Sequence, residues 1–227
     1  MLIAGFEKNT LLDYPGKVAS IIFTYGCNLR CPYCHNPELV TQPCKKENIF
    51  SEEYILEYLK SREGLIDALV ITGGEPTLQK DLIPFIRRVK DLGLLVKLDS
   101  NGVLEEVIKE IMSLNIVDYW AMDIKYPSEY FEEYGIDSKA VKNSIEMIMN
   151  SGREYEFRTT YVKGIHDIKD AKSIGEMIKG ATNYYIQNFR KGKTIDSKLN
   201  QSNSFTQKEL EEIKSVISPY VKSVTIR

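Results

Sequence analysis

Cys27-Asn28-Leu29-Arg30-Cys31-Pro32-Tyr33-Cys34 is the stretch from which the fold is read. Its three cysteines stand four and three residues apart in one short loop. A loop this tight cannot pair all three as disulfides, and a bridge between near neighbours is usually strained. It can wrap three thiolates around a metal centre. Four-cysteine sets belong to structural zinc or to a fully ligated iron–sulfur cluster. Three ligands in one loop point to a cluster with one iron left open, or to a zinc knuckle completed by His35 or by the more distant Cys44.

Working outward, residues 18–24 are β-branched and aromatic with few charges, and predict a buried strand. The cysteine loop leaves its C-terminal end, where catalytic loops sit on parallel βα scaffolds. Before it, residues 2–6 form an apolar run, and Leu11-Leu12-Asp13-Tyr14-Pro15-Gly16 is a turn signal. Together they predict an N-terminal hairpin. After the cysteines, residues 37–50 read as loop. Ser51 caps a helix that has Glu52 and Glu53 in its first turn and runs to about Arg62.

Strands are then expected at 68–72, 94–98, 117–122, 155–162 and 184–189, with helices between them at 81–92, 103–113, 138–149 and 167–179. Residues 127–134 predict a short helix or turn. A helix from Thr206 to about Ser218 and a strand at 221–226 end the chain. No repeat, linker or second domain is visible. The fold class expected is α/β: a partial (βα)6 TIM-like barrel of parallel strands, with an N-terminal hairpin extension and a C-terminal helix and strand, in one domain over residues 1–227. Eight units would close a complete barrel; six leave a side opening.

Composition bounds the function. The 227 residues are 43% hydrophobic and 27% charged, enough for an ordinary globular core. A net charge of -2 gives no electrostatic footprint for nucleic acid. No run of residues is long and apolar enough to span a membrane, and Met1-Leu2-Ile3-Ala4-Gly5 lacks a charged signal-peptide start. Four cysteines, three of them clustered, suit a reducing cytoplasm.

Chemistry-bearing residues follow the strands. Gly73-Gly74-Glu75-Pro76 ends the second parallel strand. Its glycines let backbone approach a ligand closely, and Glu75 can accept hydrogen bonds from an ammonium. The plain alternative is a βα turn. Asp99-Ser100-Asn101-Gly102 ends the third, in residues that are also ordinary turn formers. Asp123 and Lys125 of Asp123-Ile124-Lys125 share one face of an extended segment, either in the barrel mouth or as a solvated ion pair worth little. Arg158, in Phe157-Arg158, offers forked donors to a carboxylate or lies on the surface. His166 is read as a surface loop residue. The stretch 190–201 is polar and basic, first a flexible loop and secondly a docking element.

Taken together, these motifs are identified as those of the radical S-adenosylmethionine (SAM) superfamily. CxxxCxxC after a hydrophobic strand resembles that family's cluster loop, and Tyr33 stands where it carries an aromatic residue. The resemblance implies that Cys27, Cys31 and Cys34 hold a [4Fe–4S] cluster whose fourth iron binds the methionine amino and carboxylate groups of SAM. It implies that Tyr33, Gly73, Gly74, Glu75, Pro76, Ser100, Asn101, Asp123, Lys125 and Arg158 contact SAM, with Arg158 toward its carboxylate. The Asp123-Ile124-Lys125 motif, the Asp99-Ser100-Asn101-Gly102 loop and the Leu-Leu-Asp-Tyr-Pro-Gly opening resemble the glycyl-radical-enzyme activases, above all the activating proteins of anaerobic ribonucleoside-triphosphate reductase. The implied activity is one-electron cleavage of SAM and hydrogen abstraction from a glycine of a large partner enzyme. The implied electron donor is a protein such as flavodoxin or ferredoxin. A small-molecule radical SAM enzyme of the 7-carboxy-7-deazaguanine synthase type and a zinc-binding module are the alternatives.

Overall fold

The computed structural model describes residues 1–44, 46–201 and 204–227, without the side chains of 46, 200 and 201. Eight strands succeed one another in the sheet in chain order: β1 (Ile3–Thr10), β2 (Ala19–Thr24), β3 (Ala68–Gly73), β4 (Leu95–Ser100), β5 (Tyr119–Asp123), β6 (Glu154–Tyr161), β7 (Asn183–Asn188) and β8 (Ser223–Ile226). The helices are α1 (Pro37–Thr41), α2 (Glu52–Ser61), α3 (Leu82–Asp91), α4 (Glu105–Leu114), α5 (Ser138–Asn150), α6 (Asp170–Met177) and α7 (Gln207–Ile217). The chain is α/β with parallel strands after an antiparallel β1, as the partial-barrel expectation requires.

The chain gathers into two compact units. The first comprises Met1–Asn28, Glu38–Ser100 and Glu106–Trp120. Here β1 pairs antiparallel with β2, the expected hairpin, and β2, β3 and β4 run parallel. Register sets Thr24 beside Gly73 and Ile71 beside Leu98, so the strand ends finish level. β2 and β3 are buried along nearly their whole length, which explains their unbroken apolar reading. α3 buries Leu82, Phe85, Ile86 and Val89, one stripe at helical spacing. Ser51 caps α2 by accepting from the Tyr54 N–H.

The second unit comprises Leu29–Pro37, Asn101–Glu105 and Ala121–Arg227. Here β6, β7 and β8 run parallel, and Ile124 N–H donates to the Arg158 carbonyl just past β5. α7 begins at the expected Thr206, which with Glu209 forms a reciprocal capping box. Most expected boundaries shift by one to three residues, and two differences have a visible cause or add an element. The stretch 37–50, expected as loop, contains α1 and a short 3-10 turn at Lys46–Asn48, while Lys45 lies outside the described residues. α6 starts at Asp170 rather than Asp167, because the Asp170 carboxylate accepts the Asp167 N–H and holds those residues in a turn before the helix.

Candidate active site

In the first unit, three segments reach the C-terminal ends of β2, β3 and β4. The two glycines at the end of β3, Gly73 and Gly74, have a reason the sequence did not disclose. A Cβ on Gly73 would lie 2.2 Å from the Thr24 nitrogen, and one on Gly74 would lie 2.0 Å from the Gly26 carbonyl oxygen. Gly73 also has φ +123°, where L side chains are rare. What approaches the glycines so closely is the chain leading into Cys27, not empty ligand space. Gly74 N–H donates to Thr24 O and Glu75 N–H to Gly26 O, both at 2.8 Å. With those donors committed to backbone, this stretch offers carbonyls and a carboxylate, the acceptor chemistry that an ammonium requires.

Glu75 is 1% exposed. Its Oε1 accepts from the Thr77 hydroxyl (2.6 Å), the Thr77 N–H (3.2 Å) and the Ser100 hydroxyl (2.9 Å). The carboxylate is thereby fixed, and it caps the 3-10 turn Pro76–Leu78. Ser100 lies at the end of β4 rather than in the loop after it. Lys97, on the same strand, is a buried cation that the sequence reading passes over. Its Nζ donates to the Asp13 carbonyl at 2.6 Å, stands 3.9 Å from the Asp99 carboxylate and lies over the Tyr119 ring. Lys97 thus holds the turn between β1 and β2, whose Tyr14 packs with Ile21, Val70 and Tyr119.

In the second unit, Cys31-Pro32-Tyr33-Cys34 is a tight turn closed by Cys34 N–H donating to Cys31 O at 3.0 Å. Cys31 is buried, and burial pushes its thiol up while the Lys125 ammonium opposes that. Asn101 accepts the Val103 N–H with its own side chain, and a Cβ on Gly102 would meet the Met122 methyl. Asp123, Lys125 and Arg158 converge. Arg158 Nε donates to Asp123 Oδ1 at 2.6 Å and Lys125 Nζ to Oδ2 at 3.0 Å. Burial alone would raise the Asp123 carboxyl, but Arg158 and then Lys125 hold it well below the usual range. Glu156, fully buried, takes Arg227 and stands 3.7 Å from Arg158. Three cations thus meet two carboxylates. This is neither a solvated pair nor a surface arginine, and the surplus positive charge suits an anionic group.

His166 is also not a surface residue, being 4% exposed. Val162 N–H donates to its Nδ1 at 3.2 Å, so Nε2 carries the proton and donates to the Lys125 carbonyl at 3.0 Å. The same carbonyl accepts the Tyr33 hydroxyl at 2.8 Å. Tyr33 and His166 therefore fix Lys125 from two sides. Burial pushes His166 down to about 4, and the Lys125 charge adds to that effect against the favourable hydrogen bond. His35, by contrast, stacks on Phe189 at 5.2 Å. The basic loop is tied to the cysteine turn, since Asp196 N–H donates to the Pro32 carbonyl at 2.9 Å.

None of the four cysteines is in a disulfide. Among the described residues no three His, Cys, Asp or Glu side chains stand close enough to share one metal ion. A cuboidal cluster does not ask for that, because each cysteine binds a different iron. Three thiols in one loop suit an iron–sulfur cluster; taken by itself, the first unit's fixed buried carboxylate suits an ammonium, and the second unit's cation-rich triad suits an anionic group.

A sequence model of the radical SAM superfamily matches residues 21–174. The chain belongs to the radical SAM superfamily, which uses a [4Fe–4S] cluster and SAM. Within it, the chain is an enzyme of the glycyl-radical-enzyme activating kind. It is 34% identical over its whole length to a protein of Methanocaldococcus jannaschii named as a glycyl-radical enzyme activating enzyme, of which it covers 95%. It is 29% identical over 74% of its length to the GTP 3',8-cyclase of Campylobacter jejuni subsp. doylei, of which it covers 52%. Among solved structures, Streptococcus suis SuiB bound to SAM superposes with a TM-score of 0.65 at 12% identity, over 91% of this chain and about half (51%) of that one. No helix among the described residues is long and apolar enough to cross a membrane.

Proposed function

We propose that this chain is the activase of a glycyl radical enzyme, with anaerobic ribonucleoside-triphosphate reductase as its partner and a flavodoxin or ferredoxin as its electron donor. In this reading Cys27, Cys31 and Cys34 hold the [4Fe–4S] cluster. When bound, the cluster and SAM together supply one-electron cleavage of the sulfonium to a 5'-deoxyadenosyl radical that takes a hydrogen atom from a partner glycine.

The protein's own part is to bind, orient and exclude water. Glu75, with backbone acceptors of Gly73, Gly74 and Pro76, receives the SAM amino group. Lys125 and Arg158, held together by Asp123, supply positive charge for the carboxylate. Ser100 and Asn101 border the same ligand from the end of β4, and Tyr33 packs beside it. The observation that carries the reading is the triad: a half-buried Asp123 that holds two half-buried cations on one face suits a pre-ordered receptor for a carboxylate.

A small-molecule radical SAM enzyme is the second reading, favoured by the likeness to a GTP 3',8-cyclase. The full-length match to the activating enzyme weighs against it, since the cyclase match leaves nearly half of that protein uncovered. The experiment mixes the reduced protein, SAM and the reductase and records electron paramagnetic resonance. A glycyl doublet that requires all three components supports the assignment. SAM cleavage without a radical on the reductase overturns the partner while leaving the family intact.

A further inference from the structure

Tyr126 follows directly on the Asp123-Ile124-Lys125 stretch and is 1% exposed. Among the described residues its hydroxyl completes no hydrogen bond. A buried hydroxyl without a partner is costly, so its position asks for an explanation. It lies near the Cys31 thiol, with the hydroxyls of Tyr33 and Tyr134 also close by. Tyr126 and Cys31 line one cavity of about 230 Å³ together with Leu29, Arg30, Glu133 and Tyr134.

The ring is held in place. It stacks on Tyr134 with centroids 3.8 Å apart and planes 10° from parallel. It also stacks on His166 at 5.7 Å and 18°, and Tyr33 meets it edge-on at 6.0 Å. His166 is itself pinned at both ring nitrogens. The stacked ring therefore keeps the hydroxyl oxygen in the cavity that Cys31 lines. A neutral thiol is a weak acceptor. A thiolate on iron is a charged one, and hydrogen bonds to charged acceptors are shorter and stronger. Cys31 is 8% exposed, so water can do little to solvate that thiolate.

We propose that Tyr126 is a positioning residue for the cluster: its hydroxyl donates a hydrogen bond to the Cys31 thiolate and thereby raises the cluster's reduction potential. The proposal rests on the reading that Cys27, Cys31 and Cys34 hold the cluster. Its sign follows from charge. Reduction adds negative charge that the thiolates share, so a donor to sulfur stabilises the reduced form more than the oxidised one. The residue would thus make electron delivery easier without touching SAM.

The test uses the full chain loaded anaerobically with iron and sulfide. Tyr126→Phe keeps the ring and its stacks and removes only the hydroxyl. After iron and sulfide are counted, a redox titration followed by electron paramagnetic resonance reads the potential. The expected result is a fall in the reduction equilibrium constant of about tenfold, which is 59 mV for a one-electron couple. Pulsed electron–nuclear double resonance in D2O should show an exchangeable deuteron near the cluster in the wild type and lose it in the variant. Replacing Tyr126 with 3,5-difluorotyrosine, which keeps the shape but sharpens the donor, should move the potential up. That replacement also decides the matter if Tyr126→Phe fails to hold a cluster. A fully loaded protein whose potential is unmoved by either replacement overturns the proposal alone. A wild-type chain that takes up no iron–sulfur cluster overturns it together with the reading beneath it.

Discussion

His166 should make the protein acid-sensitive in a window set by its own two pKa values. In the unfolded chain it titrates at about 6.5, and in the folded one burial holds it down to about 4. Protonation would also place a second N–H on Nδ1, facing the Val162 N–H that it now accepts. The folded pKa is the lower one, so the contribution is fully present above the unfolded pKa of 6.5. It is lost as pH falls from there toward 4, because the unfolded chain takes the proton first. The difference between the two titrations amounts to about 2 kcal/mol lost between pH 7.5 and pH 5. For a chain of this length that corresponds to a drop of roughly 4–8 °C in Tm. Its neighbours do not blur the window, since Asp123 stays anionic, Lys125 cationic and Tyr161 neutral across it. The assay is thermal and urea unfolding at pH 7.5 and pH 5 for the wild type and His166→Gln, which keeps a donor and an acceptor but does not titrate. The wild type should lose about 2 kcal/mol more than the variant over that interval. Equal losses would refute the argument that a neutral His166 is locked between Val162 and Lys125.

Three further outcomes follow from the same geometry. Cys27→Ala, Cys31→Ala and Cys34→Ala should each abolish the cluster while Cys44→Ala retains it; iron counting on the four proteins checks this, and loss of iron in Cys44→Ala alone would show the ligand set to be misassigned. Gly74→Ala should destabilise by about 1–3 kcal/mol, because the new methyl would lie 2.0 Å from backbone at Gly26, where no flexible side chain can yield; an unchanged urea midpoint would refute it. Arg158→Ala should weaken SAM binding tenfold or more, on the basis of about 1.5–3 kcal/mol for a charge-assisted contact, without removing iron; equilibrium binding decides, and unchanged affinity would place the guanidinium outside the site.

The parts of the site legible in sequence are those whose cause is local. A strand announces itself by β-branched residues, and on a parallel scaffold the residues just past its end are where chemistry collects. The cysteine loop, Glu75, Ser100 and the Asp123–Lys125 pair all emerge in that way, and alternation alone predicts that Asp123 and Lys125 share a face, as their 3.0 Å contact shows. Caps at Ser51 and Thr206 are equally local, and both hold.

What stays hidden depends on neighbours far along the chain. The glycines of Gly73-Gly74 read as room for a ligand, yet their small size is demanded by backbone near position 25, almost fifty residues earlier. Lys97 sits inside an apolar strand, and the Asp13 carbonyl and the Tyr119 ring, each distant in sequence, help make that position tolerable. His166 is two residues past a glycine in a polar loop, which argues for exposure. The loop instead folds back so that the ring closes over the Lys125 carbonyl, forty-one residues away. These three share one physical feature: each is a polar or conformational cost met by a backbone group that composition and periodicity do not register. The triad follows the same logic, because the Arg158 guanidinium on β6 is oriented by Asp123, thirty-five residues before it. A half-buried charge fixed by another gains direction at the expense of solvation. That exchange is useful chiefly where a ligand's charge completes the set, and on the reading proposed above the carboxylate of SAM would be that charge, which is what the Arg158→Ala binding measurement decides.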